Sequence, residues 1–230
     1  MDGTMQTILA FLVTAVAGYF LGCFNGAVIV SKYILRDDVR THGSGNAGLT
    51  NFHRTFGGPL TFVVILCDVL KAVIAVLIGA ALIGGALQLD TAFAASLLDI
   101  GNVQAEDYGK YWGGICCLLG HMFPCMFGFK GGKGILSGGA VAIMIDWRVA
   151  LVVWGGFLVL AVLTRYVSLG SCWAGASFPF ATWFVYQNWI LTLLAVFIGG
   201  MILWKHRSNI GRLIRGEESK FSLHKKESKA

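Results

Sequence analysis

Apolar runs of membrane length constrain this chain more than any other feature of its sequence. The hydrocarbon core of a bilayer is crossed by about 20 apolar residues in a helix, and its lack of water excludes lipid-exposed irregular backbone. Such runs occupy residues 7–30, 58–87, 111–129, 135–145, 149–163, 172–186 and 189–204. We therefore predict an all-α fold, a polytopic membrane helical bundle of about seven transmembrane helices, with some short or re-entrant segments.

The composition agrees with a membrane protein and argues against one that binds nucleic acid. Of the 230 residues, 56% are hydrophobic and 13% are charged, and the mean hydropathy is +0.71. The net charge of +6 comes from basic residues beside apolar runs, where an anionic membrane surface or an anionic substrate is the expected partner. Neither a linker nor an internal repeat occurs. Residues 1–230 are therefore predicted to form a single integral membrane domain, with residues 205–230 as its tail.

The distribution of lysine and arginine among the loops predicts one orientation. If every run crosses the membrane, one side holds the basic segments, which are residues 31–54, 130–133, 164–171 and the tail from 205 onward. The other side holds the N-terminus, the acidic segment 88–110 and the turns at 146–148 and 187–188. Because cytoplasmic loops carry an excess of basic residues, we place the N-terminus outside the cell and the tail in the cytoplasm.

Residues 120–134 carry two lysines and a glycine cluster at the end of an apolar run. Glycines allow backbone N–H groups to turn towards an anion, and Lys130 and Lys133 add positive charge beside Gly131 and Gly132. These residues predict a phosphate-binding loop, although lysines that face lipid headgroups would explain them about as well. The pattern GxxxxGK[ST] does not occur, so nucleotide hydrolysis is not predicted.

Residues 43–51 form a second run of small and hydrogen-bonding residues, and a basic residue follows soon after. Hydroxyl and amide groups can bind phosphate oxygens, and an arginine can bind them with two N–H groups at once. The candidates are Ser44, Asn46, Thr50, Asn51 and Arg54, with Gly45 permitting close approach. A flexible connecting loop is the alternative interpretation.

The tail supplies a third candidate segment. On a continuing helix, His206 and Asn209 would share one face at i and i+3. Imidazole has an unperturbed pKa of about 6.5, which suits proton transfer at neutral pH. A basic juxtamembrane anchor would explain Arg207 and its basic neighbours, but it does not explain His206, Asn209 or Glu217.

Two smaller signals remain. Ser168 lies between two apolar runs beside a basic residue, where a substrate contact and an ordinary helix-terminal serine are equally good interpretations. Asp68 and Lys71 lie inside an apolar run at i and i+3, so they can pair and offset the cost of burying their charges. We favour a structural ion pair over a direct catalytic role for these two residues.

Three segments, residues 43–51, 120–134 and 206–217, resemble in order and spacing those of the PlsY-type glycerol-3-phosphate acyltransferases of bacteria. Residues 68–71 and 165–168 support the resemblance, which covers nearly the whole chain. The sequence departs from the family at Ala47 and Ala72, where the family usually has proline and glycine. Both departures concern backbone stiffness and helix packing rather than polar chemistry.

The resemblance implies an enzyme of the bacterial plasma (inner) membrane that transfers a fatty acyl group from acyl-phosphate to the sn-1 hydroxyl of glycerol-3-phosphate. The products would be lysophosphatidic acid and phosphate, in the first step of phospholipid synthesis. An acyl-phosphate is already activated, so we expect no metal and no other cofactor. The implied partners are the two substrates, the lipid bilayer and the enzyme that produces acyl-phosphate.

The resemblance also implies roles for individual residues. His206, Asn209 and Ser44 would be catalytic. The implied substrate-binding residues are Gly45, Asn46, Thr50, Asn51, Arg54, His121, Lys130, Gly131, Gly132, Lys133, Ser168, Arg207 and Glu217.

Two other classes of protein stay open at this stage. A multi-span transporter of organic phosphates could use the same basic loops, whereas a purely structural membrane subunit would leave the glycine-lysine and histidine-asparagine clusters unexplained. Acyltransferases that use acyl-CoA carry an HxxxxD pair. No histidine here has an aspartate five residues later, which argues against a thioester donor.

Overall fold

The computed structural model describes residues 3–89 and 103–221, and ten α-helices account for most of this part of the chain. They are α1 (Gly3–Cys23), α2 (Gly26–Ile29), α3 (Leu49–Thr55), α4 (Leu60–Leu89), α5 (Ala105–Met122), α6 (Ile135–Ile145), α7 (Trp147–Thr164), α8 (Val167–Tyr186), α9 (Trp189–Lys205) and α10 (Arg207–Ile214). A π-helical turn spans Val30–Ile34, and 3-10 turns span Val39–Thr41 and Cys125–Phe127. The predicted all-α fold is confirmed for the described residues.

Each predicted apolar run corresponds to one of the longer helices, but the lengths differ. Helices α1, α4 and α7 are long and apolar enough to cross a membrane, and α9 with α10 makes a fourth if that bent pair is one span. Helix α6 has only 11 residues, in keeping with the prediction that some segments are short. Most of the acidic segment 88–110, including residues 90–102, lies outside the described residues.

The first apolar run ends earlier than predicted, because a polar side chain interrupts it. Helix α1 stops at Cys23, and the buried Asn25 starts α2 by accepting a hydrogen bond from the N–H of Val28 at 3.0 Å. The Asn25 amide also donates to the carbonyl oxygen of Ala47 at 3.0 Å. This cap begins a new short helix, which packs against α4, and ties it to the loop that follows.

The two turns predicted within the second half of the chain are confirmed. Asp146 separates α6 from α7 and accepts a hydrogen bond from the N–H of Arg148 at 2.7 Å. Asn188 starts α9 by accepting from the N–H of Leu191 at 3.0 Å. In both cases a side-chain oxygen satisfies an otherwise unpaired amide at a helix N-terminus.

Helix α5 is the centre of the bundle and packs against α1 and α4 through glycines. A Cβ atom on Gly109 would overlap the carbonyl oxygen of Gly79 in α4, and one on Gly120 would overlap that of Tyr19 in α1. Small residues at such crossings let helix backbones approach closely, as in membrane bundles generally. The outer surface is apolar, with Leu163 77% exposed, as expected for a lipid-facing surface.

Candidate functional site

The predicted site segments lie at one end of the bundle, where α1, α5 and α9 end and α4, α6 and α8 begin. Hydrogen bonds join these ends directly. Nζ of Lys205, the last residue of α9, donates to the carbonyl oxygen of Met122, the last residue of α5, at 2.8 Å. The N–H of Phe221 donates to the carbonyl oxygen of Arg165, between α7 and α8, at 2.8 Å.

We call residues 43–48 the first loop, and the side chain of Asn51 holds it in shape. Asn51 is 2% exposed, and its amide group donates to the carbonyl oxygens of Val39 and His42, both at 3.0 Å. Its oxygen accepts from the N–H of Ser44 at 3.1 Å. Since both amide hydrogens are used within the chain, the geometry favours a role for Asn51 in shaping the loop rather than in binding phosphate.

We call residues 130–134 the glycine-lysine loop, and it passes directly over His121. The N–H of Gly132 donates to the carbonyl oxygen of His121 at 3.1 Å, so this amide is not free to bind an anion. A Cβ on Gly132 would overlap Nε2 of His121 and lie 2.7 Å from the carbonyl oxygen of Ala47. Only glycine fits between the imidazole and the first loop at this position.

Arg40 links the 3-10 turn before the first loop to the 3-10 turn before the glycine-lysine loop. Its guanidinium lies 2.7 Å from the Asp38 carboxylate and donates to the carbonyl oxygen of Phe127 at 2.8 Å. Hydrogen bonding to Arg40 outweighs the effect of partial burial and lowers the pKa of Asp38, which keeps the pair ionised. Arg40 is one of the residues whose role the sequence did not reveal.

His206 lies at a bend between two helices, not on the continuing helix that the sequence predicted. Helices α9 and α10 meet there at 60°, and His206 is 4% exposed. Its Nδ1 lies 2.8 Å from the carbonyl oxygen of Ile202. A carbonyl can only accept, so Nδ1 carries the hydrogen and the lone pair is on Nε2. The bend still keeps His206 and Asn209 both buried, while Arg207 is exposed.

Asn209 connects the glycine-lysine loop to the tail. Its oxygen accepts a hydrogen bond from Nζ of Lys133, and its amide donates to the Glu218 carboxylate at 2.8 Å. Nε of Arg212 lies 2.6 Å from the other oxygen of Glu218. Burial lowers the pKa of Lys133, and repulsion from Arg212 adds to this effect. Burial alone would raise the pKa of Glu218, but the hydrogen bonds from Asn209 and Arg212 outweigh it, so its pKa is lowered.

The remaining predicted residues divide into two groups. Several side chains are exposed at the rim of the site, namely those of Ser44, Thr50, Arg54 and Lys130, together with the backbone of Gly45, whereas Asn46 and Gly131 are partly buried. Ser168 is buried at the start of α8, near the carboxylate of Glu218. Arg207 and Glu217 turn elsewhere: Arg207 stacks 4.5 Å above the Trp204 ring, and Glu217 pairs with Arg215 at 2.7 Å.

An apolar crevice of about 520 Å³ runs between α1, α5 and α9 beside the site. Trp112, Leu119 and Phe197 are among its lining residues, as is Tyr19. The hydroxyl of Tyr19 donates to the carbonyl oxygen of Phe123 at 2.8 Å, two residues beyond His121. The crevice therefore follows the apolar sides of the helices and extends to Tyr19 and Leu119, close to the ends of α1 and α5.

The site also contains residues that the sequence analysis missed. Glu218, rather than Glu217, contacts Asn209, and the difference of one position is decided by the turn after α10. Arg212, another residue of the tail, pairs with the same glutamate. Asn25 lies within a predicted apolar run and Lys205 begins the predicted basic tail, and only the fold shows that Asn25 binds Ala47 and that Lys205 binds the end of α5.

Comparisons with known proteins give matches that cover nearly the whole chain. A model of the family described as glycerol-3-phosphate acyltransferase matches residues 12–216. The glycerol-3-phosphate acyltransferase of Clostridioides difficile (strain 630) is 36% identical over 221 residues, covering 95% of this chain and 98% of the relative. That of Thermoanaerobacter pseudethanolicus is 34% identical over 209 residues, covering 91% and 94%.

Solved structures agree with the sequence comparisons. The crystal structure of PlsY (YgiH), an integral membrane glycerol 3-phosphate acyltransferase, in its glycerol 3-phosphate form has a TM-score of 0.74 and 32% identity, covering 92% of this chain and 96% of that one. Its lysophosphatidic acid form has a TM-score of 0.71 and 31% identity, covering 92% and 95%. With the fold, the three converging segments and these matches in agreement, the chain belongs to the glycerol-3-phosphate acyltransferase family and is an integral membrane acyltransferase.

Proposed function

We propose that this protein transfers a fatty acyl group from acyl-phosphate to the sn-1 hydroxyl of glycerol-3-phosphate. The proposal rests on one observation, which is that three polar segments meet at the adjacent residues Gly132 and Lys133. Gly132 lies against the first loop and Lys133 binds Asn209 of the tail. A reaction between two phosphate-bearing molecules requires such a concentration of donors. Relatives of this chain are named for glycerol-3-phosphate, and a related structure is described in a lysophosphatidic acid form.

Because an acyl-phosphate is already activated, the protein mainly has to position the two substrates for reaction. The acceptor oxygen attacks the acyl carbon, the bond from that carbon to the phosphate oxygen breaks, and inorganic phosphate leaves with the electron pair. The hydroxyl proton passes either to Nε2 of His206, which carries the lone pair, or to the departing phosphate. Holding the hydroxyl in attack geometry and stabilising the developing oxyanion therefore account for most of the catalysis.

We assign roles within the site from the hydrogen-bonding groups that each side chain does not already use within the chain. Lys133 has three ammonium hydrogens and uses one at Asn209, which leaves hydrogens for a phosphate. The exposed side chains at the rim would contact the substrates, namely those of Ser44, Thr50, Arg54 and Lys130. His121, Gly132 and Asn51 would shape the loops, and Arg207 and Glu217 would lie outside the site.

The acyl chain of the donor would lie in the crevice between α1, α5 and α9. An acyl chain in the bilayer can enter a crevice that is open to the side of the helices without leaving an apolar environment. Lining residues such as Leu119 and Phe197 are apolar. The crevice ends close to Phe123, so an acyl chain there would place its activated head near His121 and the glycine-lysine loop.

The choice of donor can be tested with purified protein in detergent or lipidic mesophase. We expect lysophosphatidic acid to form from acyl-phosphate in the presence of a chelator, because the mixed anhydride needs no metal for activation. Acyl-CoA should give no product, since the chain has no HxxxxD pair. Efficient turnover of acyl-CoA, or loss of activity when chelator is added, would contradict the proposed donor and mechanism.

We also propose that the site faces the cytoplasm of a bacterial plasma membrane, with the N-terminus outside and residues 1–230 as one domain. The enzyme that makes acyl-phosphate would then supply substrate from the same side. The support is the excess of basic residues in the segments around the site.

Thiol labelling in intact cells tests this orientation, once the six native cysteines have been replaced. A cysteine introduced within residues 88–110 should react with a membrane-impermeant reagent added outside the cells. One introduced at Ser219 should react only after the cells are opened. Equal labelling at both positions in intact cells would exclude a single orientation.

A further inference from the structure

A buried cluster of ionisable side chains lies directly beneath the two loops. Lys71 in α4 is 4% exposed, and its neighbours Asp68 and His121 are 1% and 3% exposed. Its Nζ lies 2.7 Å from Oδ1 of Asp68, 3.0 Å from the carbonyl oxygen of Phe24 and 2.8 Å from Nδ1 of His121. An ammonium group has three hydrogens, and each of them has an acceptor here.

The contact with Lys71 decides which nitrogen of His121 carries hydrogen. An ammonium can only donate, so Nδ1 of His121 must accept and the hydrogen of the neutral ring must be on Nε2. An imidazolium would turn an N–H of Nδ1 against an N–H of Lys71, and Oδ1 of Asp68, at 3.7 Å from Nδ1, is too distant to accept a normal hydrogen bond from it. The ring is thus held neutral, in one tautomer and one orientation, by a partner on another helix.

The same cluster supports both loops that would bind phosphate. On one side, Lys71 binds the carbonyl oxygen of Phe24, and the next residue, Asn25, donates to the carbonyl oxygen of Ala47 in the first loop. On the other side, the carbonyl oxygen of His121 accepts from the N–H of Gly132, and Nε2 of the His121 ring lies against that glycine. Lys71 therefore contacts the support of the first loop on one side and the support of the glycine-lysine loop on the other.

We propose that Lys71 is a positioning residue, which fixes His121 as the Nε2–H tautomer and thereby sets the distance between the first loop and the glycine-lysine loop. This rests on the proposed function only for its effect on substrate binding. A buried ion pair contributes little net stability compared with apolar side chains of similar volume. Specificity of geometry is then the reason to keep a charge in the apolar part of the bundle.

The tautomer can be measured in the intact protein without any reaction. In protein labelled with 15N-histidine, the His121 signals, identified by their loss in His121→Gln, should report hydrogen on Nε2 in the wild type. Lys71→Met, which keeps an unbranched side chain of nearly the same length but removes the donor, should change that signal. Hydrogen on Nδ1, or a charged imidazolium, in the wild-type protein at neutral pH would overturn the proposal whether or not the protein is an acyltransferase.

Kinetics provide the second measurement, with a matched control at the far end of the same bundle. Lys110 also pairs with an aspartate at i,i+3, Asp107, at 2.9 Å. We expect Lys71→Met to raise KM for glycerol-3-phosphate or acyl-phosphate by about tenfold or more with a smaller change in kcat, because misplaced loops lose binding in ground and transition states alike. Lys110→Met should leave both KM values unchanged.

A second variant separates positioning from folding. In Asp68→Leu/Lys71→Met both charges are removed, so neither is left buried without its partner. We expect this protein to fold, to give a sharp elution profile in detergent and to keep the raised KM. A double variant with wild-type KM values and a wild-type His121 signal would show that the pair serves only to neutralise charge, and would overturn the proposal. Absence of acyl transfer in the wild type, with the expected tautomer present, would instead contradict the proposed function alone.

Discussion

His206→Ala and Asn209→Ala should each lower the rate of acyl transfer by about 10² or more, since misplacing reacting groups by about an ångström can cost that much. His206 presents the lone pair of Nε2, because Nδ1 is bound to the carbonyl oxygen of Ile202. Asn209 holds Lys133 on one side and Glu218 on the other. Removing either side chain takes away a group that would orient glycerol-3-phosphate, and the rate at saturating substrate measures the loss.

Ser208→Ala is the matched control, because Ser208 lies between these two residues but is exposed. It should retain the wild-type rate.

The pH dependence of the rate separates positioning by His206 from proton transfer to it. If the imidazole takes the proton, the wild-type rate should fall as the pH is lowered and the ring becomes charged, and His206→Gln should lack this fall. Should His206→Gln keep most of the rate with an unchanged pH profile, the departing phosphate is the proton acceptor.

Gly132→Ala should reduce the rate by about 10² or more, which far exceeds the effect of the same change in an open position. The added methyl group would overlap Nε2 of His121 and lie 2.7 Å from the carbonyl oxygen of Ala47. The glycine-lysine loop would have to move away from the first loop, and Lys133, the next residue, would move with it. Steady-state kinetics with each substrate varied in turn measure the effect.

Gly200→Ala provides the comparison for this change. Gly200 lies in α9, where an added Cβ meets no atom within 4 Å, so this variant should fold and behave as the wild type. Wild-type kinetics for a folded Gly132→Ala protein would show that the close approach of the two loops is not needed for catalysis.

The helices and the three polar segments could be predicted from the sequence, because both signals are local. Runs of apolar residues identify membrane helices whatever their neighbours are. Asp146 and Asn188 interrupt those runs as capping residues do, and the predicted breaks are confirmed there. The end of α1 was placed too late because Asn25 is a single polar residue, and its partner Ala47 is distant in sequence.

The details of the site depend on contacts that no spacing encodes. The sequence predicts that Asn51 binds phosphate, and the structure adds that its amide group donates to the carbonyl oxygens of Val39 and His42, which are contacts that the sequence does not indicate. Glu217 and Glu218 are adjacent and chemically identical, so only the turn after α10 decides which of them reaches Asn209. The pairing of Asp68 with Lys71 was expected from their spacing, whereas the contact of Lys71 with His121 requires two helices to pack together.

The central claim is that acyl-phosphate and glycerol-3-phosphate react with each other in this site. The most direct test measures phosphate release from acyl-phosphate by the purified protein, with and without glycerol-3-phosphate, and quantifies lysophosphatidic acid in the same samples. We expect release to depend on glycerol-3-phosphate, and we expect phosphate and lysophosphatidic acid to form in equal amounts. Two results would contradict the proposed reaction. One is phosphate release that is independent of glycerol-3-phosphate, and the other is movement of labelled glycerol-3-phosphate across vesicle membranes with no lysophosphatidic acid formed.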